Sequence, residues 1–262
     1  MSSTLQCLLN EIYKGLLISW HYRFNMINEF IALGINFTGT VFLMNAGNTD
    51  LSAFGPSLVG FIVWVYASYI LNVSYTHIML EGRSGTLEQM YMSPVSPVIV
   101  FLGATLSTII AATAWILMIS SAIMFVCNIW IPFNLQALPL LLITISGIFG
   151  FGLSVAGAAL VYKNISGFSD LMSTVLFYLN GSMLPIENMP ITLQHVARSL
   201  PTTQGIIVLR KVLFEHQSLR ALWESGELKY LILHSSLYIL IGLVVFYACQ
   251  RIAKRKGLLG QY

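Results

Sequence analysis

The chain has 262 residues, of which 56% are hydrophobic and only 9% charged, against about 25% charged in an ordinary soluble domain. A mean hydropathy of +0.78 leaves too little polar side chain to cover a soluble core of this length, so the composition points to an integral membrane protein. The net charge of +3 is small and scattered, which excludes nucleic acid as a partner. Cys7, Cys127 and Cys249 lie far apart with no CxxC or Cys/His cluster, and they read as small apolar helix residues rather than metal ligands or a disulfide.

The N-terminus has neither the early basic cluster nor the small-residue cleavage site of a secretory signal. Leu5, Leu8, Leu9, Ile12 and Leu16 instead recur at helical spacing with Gln6, Asn10, Glu11 and Lys14 between them. This predicts an amphipathic helix in the first 25 residues, lying along the membrane surface or packed as an ordinary helix. A crossing takes about 20 apolar residues. On that measure six spans are expected, near residues 26–44, 56–80, 97–127, 138–162, 169–186 and 230–249. The fifth is the weakest, because Asp170 and Asn180 interrupt it.

Lysine and arginine placement sets the expected orientation. Lys14, Arg23, Arg83, Lys163, Arg251, Lys254, Arg255 and Lys256 fall on one side, and the short loops near 45–55 and 128–137 carry no basic residue. Both termini and residues 81–97 are therefore expected in the cytoplasm. The segment 187–229 holds Arg198, Arg210, Lys211, Arg220 and Lys229, but long outer segments follow the charge rule poorly. Within it two apolar stretches too short to span are broken at Pro201. They read as a pair of helices dipping into the outer leaflet or as a hairpin lying on it.

The stretch "EGRSGTLEQMYMSPVSP", residues 81–97, stands between the second and third spans. Thr86 and Gln89 have capping-box spacing after Gly85, and Pro94 should end the helix that follows. Leu87, Met90, Tyr91 and Pro94 fall on one apolar face, with Glu88 and Gln89 elsewhere, while Ser96 and Pro97 open the next span. The result is a short two-faced helical knob held between two membrane helices. It reads either as a docking point for a cytoplasmic partner or as an interfacial anchor to lipid.

These residues resemble the loop after the second span in permease subunits of ABC-2 exporters, the second permease type of the ATP-binding-cassette transporters. The matching positions are Glu81, Gly85, Thr86, Leu87, Glu88, Gln89, Pro94, Val95 and Ser96, and Met90 and Met92 depart from the branched aliphatics usual there. A looser likeness covers "MPITLQHVARSLPTTQGIIVLRKVLF", with Pro190, Leu200, Pro201, Thr202 and Arg210 in place. The resemblance implies one transmembrane permease domain over 1–262, with a coupling helix seated in a separate ATPase subunit and a re-entrant pair capping the outer mouth. It implies a complex in the cell membrane of two ATPases and two permeases, the second being another copy or a paralogue. ATP and Mg would be bound by the ATPase chains, with no cofactor in this one. The sequence agrees in one respect: there is no G-x-x-x-x-G-K-[ST] phosphate loop, and no lysine is followed by Ser or Thr.

Polar residues within the spans mark a candidate path. Ser68, Asn72 and Tyr75, with Tyr69 beside them, share a face of the second span. Glu29, Asn36 and Thr40 share one of the first, and Ser173 and Asn180 are a heptad apart in the fifth. Such faces turn from lipid toward a pathway or a neighbouring helix. Ser146, Gly150, Ser154 and Ala158 form a small-residue packing stripe, and His77 and His234 read as interfacial. An intramembrane enzyme is disfavoured, since neither HExxH nor GxSxG is present, and a stand-alone secondary transporter finds few buried ionisable groups. Tyrosines mixed with small polar groups suit a large amphipathic or apolar solute, and the likeness of "GTLEQ" to the drug-export branch of the family implies export of a hydrophobic, drug-like compound, with a lipid-linked polysaccharide or other lipid as the alternative cargo.

Overall fold

The computed structural model describes residues 3–44, 54–183 and 186–258. It is helical throughout: α1 Ser3–His21, α2 Arg23–Met44, α3 Phe54–Arg83, α4 Leu87–Met92, α5 Pro97–Cys127, α6 Ala137–Tyr162, α7 Ser166–Leu179, α8 Ile191–Ser199, α9 Thr203–Phe214, α10 Leu219–Glu224 and α11 Glu227–Arg255. There is no strand among the described residues. Five helices, α2, α3, α5, α6 and α11, are long and apolar enough to cross a membrane. The protein is a multi-pass membrane protein.

Side-chain contacts fix how the helices run. The Tyr66 hydroxyl lies 2.9 Å from that of Thr113, and Phe37 packs on Phe61, so α3 runs antiparallel to α5 and α2. Helices α6 and α11 run parallel and form the most extensive pair. Their closeness rests on glycine: Gly147 faces Ser235, Gly150 faces Tyr238 and Ile239, and Gly157 faces Phe246. Of the expected stripe of Ser146, Gly150, Ser154 and Ala158, Gly150 lies on this contact line, whose glycines fall at i, i+3 and i+10 along α6.

The fifth expected span departs from the prediction. Helix α7 has 14 residues, about 21 Å at 1.5 Å per residue, short of a hydrocarbon core of about 30 Å. What stops it is local chemistry. The Asn180 carboxamide oxygen accepts the Ser182 backbone N–H at 2.8 Å, the Ser182 hydroxyl donates to Phe177 O at 2.9 Å, and Gly181 turns the chain at φ +78°. Even so, α7 lies antiparallel along α3. The Trp64 indole N–H donates to Ser173 O at 2.8 Å, the Ser173 hydroxyl to that of Ser68 at 3.0 Å, and Ser182 abuts Gly60 near the start of α3. Residues 184 and 185 of the expected span lie outside the described residues.

The two ends of the bundle differ. At one, α4, the middle of α1 and the last turns of α11 gather, since Lys14 reaches Glu81 and Lys254 sits 5.4 Å over the Tyr91 ring. At the other, the start of α3, the end of α5 and the end of α9 meet around Gly55, Ile129 and Phe214. Helices α8 and α9 are the expected pair, broken where Leu200 is extended ahead of Pro201. Helix α9 is an inner element, with Ile206, Val208, Leu209 and Val212 buried. Helix α10 was not expected.

Helix α1 confirms helical geometry for the first segment and divides its apolar stripe. Glu11 and Gly15 pack against Gly103 and Ser107 of α5, whereas Leu5, Leu9, Tyr13 and Leu17 are exposed.

Candidate functional site

The segment 81–97 forms a compact knob. Gly85 takes φ +71°, a left-handed turn that lets α3 reverse into α4 within three residues. The predicted capping box does not form. Thr86 is αR at φ −92°, and its side chain does not cap the helix. An N-cap residue needs extended geometry to accept the N–H groups of the first turn. The Thr86 hydroxyl donates instead to the Glu81 carboxylate, and Glu81 pairs with Lys14 of α1 at 3.5 Å. Lys14 also pairs with Glu11 at 3.6 Å. Ser93 is extended ahead of Pro94, as expected, and Pro97 opens α5.

Packing separates two faces of α4. Leu87 is 1% exposed, and Met90 and Tyr91 pack beside it on the bundle core. Glu88, Gln89, Ser93 and Pro94 are exposed, and Met92 is 84% exposed. The sequence marked Met92 only as a departure from the family pattern; its i, i+4 spacing from Glu88 places it on the same outward face. Lys14 and Lys254, which hold the knob's two flanks, were missed because they come from distant elements.

A cleft of about 420 Å³ opens between α2 and α3, lined by Glu29, Asn36, Trp64, Ser68, Tyr69 and Asn72 among others. Five of the candidate path residues thus share one cavity wall. The Glu29 carboxylate accepts from Asn25 Nδ2 at 2.9 Å and from the Tyr69 hydroxyl at 3.2 Å, while Phe30 stacks on Tyr69 with ring centres 5.6 Å apart. Asn36 and Asn72 are exposed to the cleft's open side. Thr40, Tyr75 and Asn180 lie apart from it. Thr40 donates to Asn36 O at 2.7 Å, Tyr75 is buried on α3, and Asn180 is fully buried in the turn after α7.

Of the residues placed in the outer segment, Pro190 precedes α8 and takes the Gln194 N–H at 3.0 Å, and Pro201 is buried between α8 and α9. Arg210 ties three elements. From α9 its Nε donates to Pro56 O of α3 at 2.8 Å and its Nη2 to Ser182 O at 2.9 Å. Its neighbour Lys211 forms an ion pair with Glu227 at the start of α11. No group of His, Cys, Asp and Glu that could hold a metal ion occurs among the described residues.

The chain is thus a multi-helix membrane bundle with a knob at one end and a polar cleft between two of its candidate spans, α2 and α3. Comparison with known proteins makes the class specific. The model of the ABC-2 family transporter proteins matches residues 11–248, and the chain belongs to that family. The chain is similar to the probable multidrug ABC transporter permease YbhR of Escherichia coli (strain K12), 28% identical over 178 residues that cover 65% of this chain and 46% of that protein. The YbhR of Escherichia coli O157:H7 matches equally. The chain thus spans about half the length of these curated relatives. Nodulation protein J of Rhizobium leguminosarum bv. trifolii is 29% identical over 82 residues, 31% of each chain.

Proposed function

We propose that the chain is the membrane-spanning subunit of an ABC exporter, moving a hydrophobic or amphipathic, drug-like compound outward on energy from ATP hydrolysed with Mg by two copies of a separate ATPase subunit. The observation that carries this reading is the two-faced α4. A docked protein engages Glu88, Gln89 and Met92, while the buried Leu87 passes the push into the bundle, where α4 packs on α3. A lipid anchor would turn Leu87, Met90 and Tyr91 outward to the membrane rather than bury them in the bundle.

The same contacts support a six-passage topology. Helix α7 and the turn through Ser182 keep pace with α3 as far as Gly60 and Pro56, so helix plus turn serve as the sixth passage. With α4 in the cytoplasm, both termini are cytoplasmic, and α8 and α9 form the re-entrant pair at the outer end. The cleft between α2 and α3 is the cargo path, completed by a second permease. Glu29, Asn36 and Asn72 are exposed in the single chain at membrane depth, where lipid contact is costly. The amides and hydroxyls of Asn36, Asn72, Ser68 and Tyr69 also suit a sugar-bearing lipid, which is the second reading of the cargo.

The test is gentle purification of the tagged chain from native membranes beside a version with residues 84–93 replaced by a Gly/Ser linker. A phosphate-loop ATPase that accompanies the first and not the second is the expected result. A well-folded chain with no ATPase in either sample overturns the reading.

A further inference from the structure

A second cavity, of about 560 Å³, lies at the α4 end between α1, α3 and α5. Its charged lining is Glu11 and Lys14 from α1 and Glu81 from α3, so two carboxylates face one ammonium. The ion pairs are long, at 3.6 and 3.5 Å, and the Lys14 side chain is half exposed. The cleft is one positive charge short of balance. On its wall stands His77, whose two ring nitrogens are buried and have no hydrogen-bond partner among the described residues.

The hydroxyls around it sharpen the chemistry. Thr76 donates to Asn72 O at 2.8 Å, Ser107 to Ala104 O at 2.8 Å and Thr108 to Ala104 O at 3.0 Å. Their protons are committed to backbone carbonyls, so what each offers the cavity is lone pairs. Lys14, His77, Ser19 and Ser84 can donate, but with two carboxylates beside these committed hydroxyls the walls hold a surplus of acceptors. The ligand that answers this is a cation carrying several N–H groups. A primary ammonium has three, and a quaternary ammonium has none. The rim adds a second requirement, because Ile18 and Leu80 line the cleft and are 49% and 57% exposed.

We propose that this cleft binds the primary ammonium of a zwitterionic lipid headgroup of the phosphatidylethanolamine type. The lipid ammonium takes the place of Lys14 Nζ, which bridges Glu11 and Glu81 at 3.6 and 3.5 Å; Lys14 turns to the phosphate at the mouth, and the acyl chains run past Ile18 and Leu80 along the exposed apolar side of α1. The occupant sits beside the Glu81–Thr86 hydrogen bond at the base of α4. The site is separate from the path between α2 and α3, and its binding is read on the chain alone, so it stands or falls independently of the exporter reading.

The full chain, delipidated in detergent, is mixed with equal amounts of phosphatidylethanolamine and its N-trimethylated analogue of the same acyl chains, and retained lipid is read by native mass spectrometry. The primary amine is expected to be retained about tenfold better, and Glu11→Gln or Glu81→Gln to remove that preference. Since Glu81 also holds Thr86, Thr108→Phe serves as a second variant. It fills the cleft from α5 without touching an ion pair and should abolish retention of the primary-amine lipid in a chain of unchanged helix content. Equal retention of the two lipids by the unmodified chain, or a preference that survives Thr108→Phe, overturns the proposal. Soluble phosphoethanolamine is run alongside. Carboxylate-dependent binding of it, with no lipid preference, overturns the lipid as the source and leaves a site for a free amine.

Discussion

Arg210 holds two backbone carbonyls from elements 154 and 28 residues away in the chain. Hydrogen bonds to a charged group contribute about 1.5–3 kcal/mol each, and without the guanidinium the carbonyls of Pro56 and Ser182 lose a donor in a dry setting. Arg210→Met is expected to lower the unfolding free energy in detergent by roughly 3 kcal/mol. Arg210→Lys should recover less than half of this, since a single ammonium cannot reproduce the fork that spans both carbonyls. Equal thermal stability of the three proteins would show that the bonds carry no weight. Glu88→Lys tests the opposite face of the molecule. The residue is exposed, so helix content and membrane insertion should not change, while coupled transport falls to background. Resistance that survives the substitution removes α4 from the coupling role. Thr86 shows the limit of reading at this scale. Its spacing to Gln89 matched a capping box, yet a carboxylate five residues earlier took the hydroxyl proton, an outcome decided by the turn at Gly85 rather than by spacing.

At the level of elements, hydropathy located α2, α3, α5, α6 and α11 because length and apolarity are the physical conditions for spanning. Helix α7 was overdrawn for the same reason. The apolar run continues past Leu179, but the Asn180–Gly181 pair, a turn signal in its own right, ends the helix through side-chain bonds that hydropathy does not register. The α6–α11 pair was only partly legible. Which glycines touch depends on the partner helix, and a single strand of sequence gives the stripe without its phase. Gly242 is the sharpest case: a methyl group placed there would overlap the carbonyl oxygen of Gly150, a backbone atom that cannot swing aside. Gly242→Ala should therefore force the helices apart and destabilise the fold by about 1–3 kcal/mol. Gly39→Ala meets nothing within 4 Å and should be neutral or slightly stabilising, as removing glycine from a helix interior gains up to about 1 kcal/mol. Unfolding by a denaturing detergent orders the two variants, and equal losses would mean that the close approach does not limit packing.

For the whole molecule the open question is what covers the polar face of α2 and α3. The candidate path residues stood out in the sequence because polar side chains within the apolar runs are few, but only the fold separates Glu29, Asn36, Ser68, Tyr69 and Asn72, which share a cleft, from Thr40, Tyr75 and Asn180, which do not. Lipid cannot cover Asn36 and Asn72 cheaply, so a second permease or water must. Single cysteines at positions 36 and 72, in a chain whose Cys7, Cys127 and Cys249 are replaced by alanine, distinguish these in native membranes. If two copies close the path, mild oxidation should yield cross-linked dimers from one or both positions. A control cysteine at Leu117, an apolar residue of α5 that is 66% exposed, should give none and should label only with a membrane-soluble maleimide. Monomers that label with a water-soluble maleimide at 36 and 72 would place the path within one chain. Monomers that behave like the Leu117 control would turn this face to lipid and remove both the path and the two-copy assembly that rests on it.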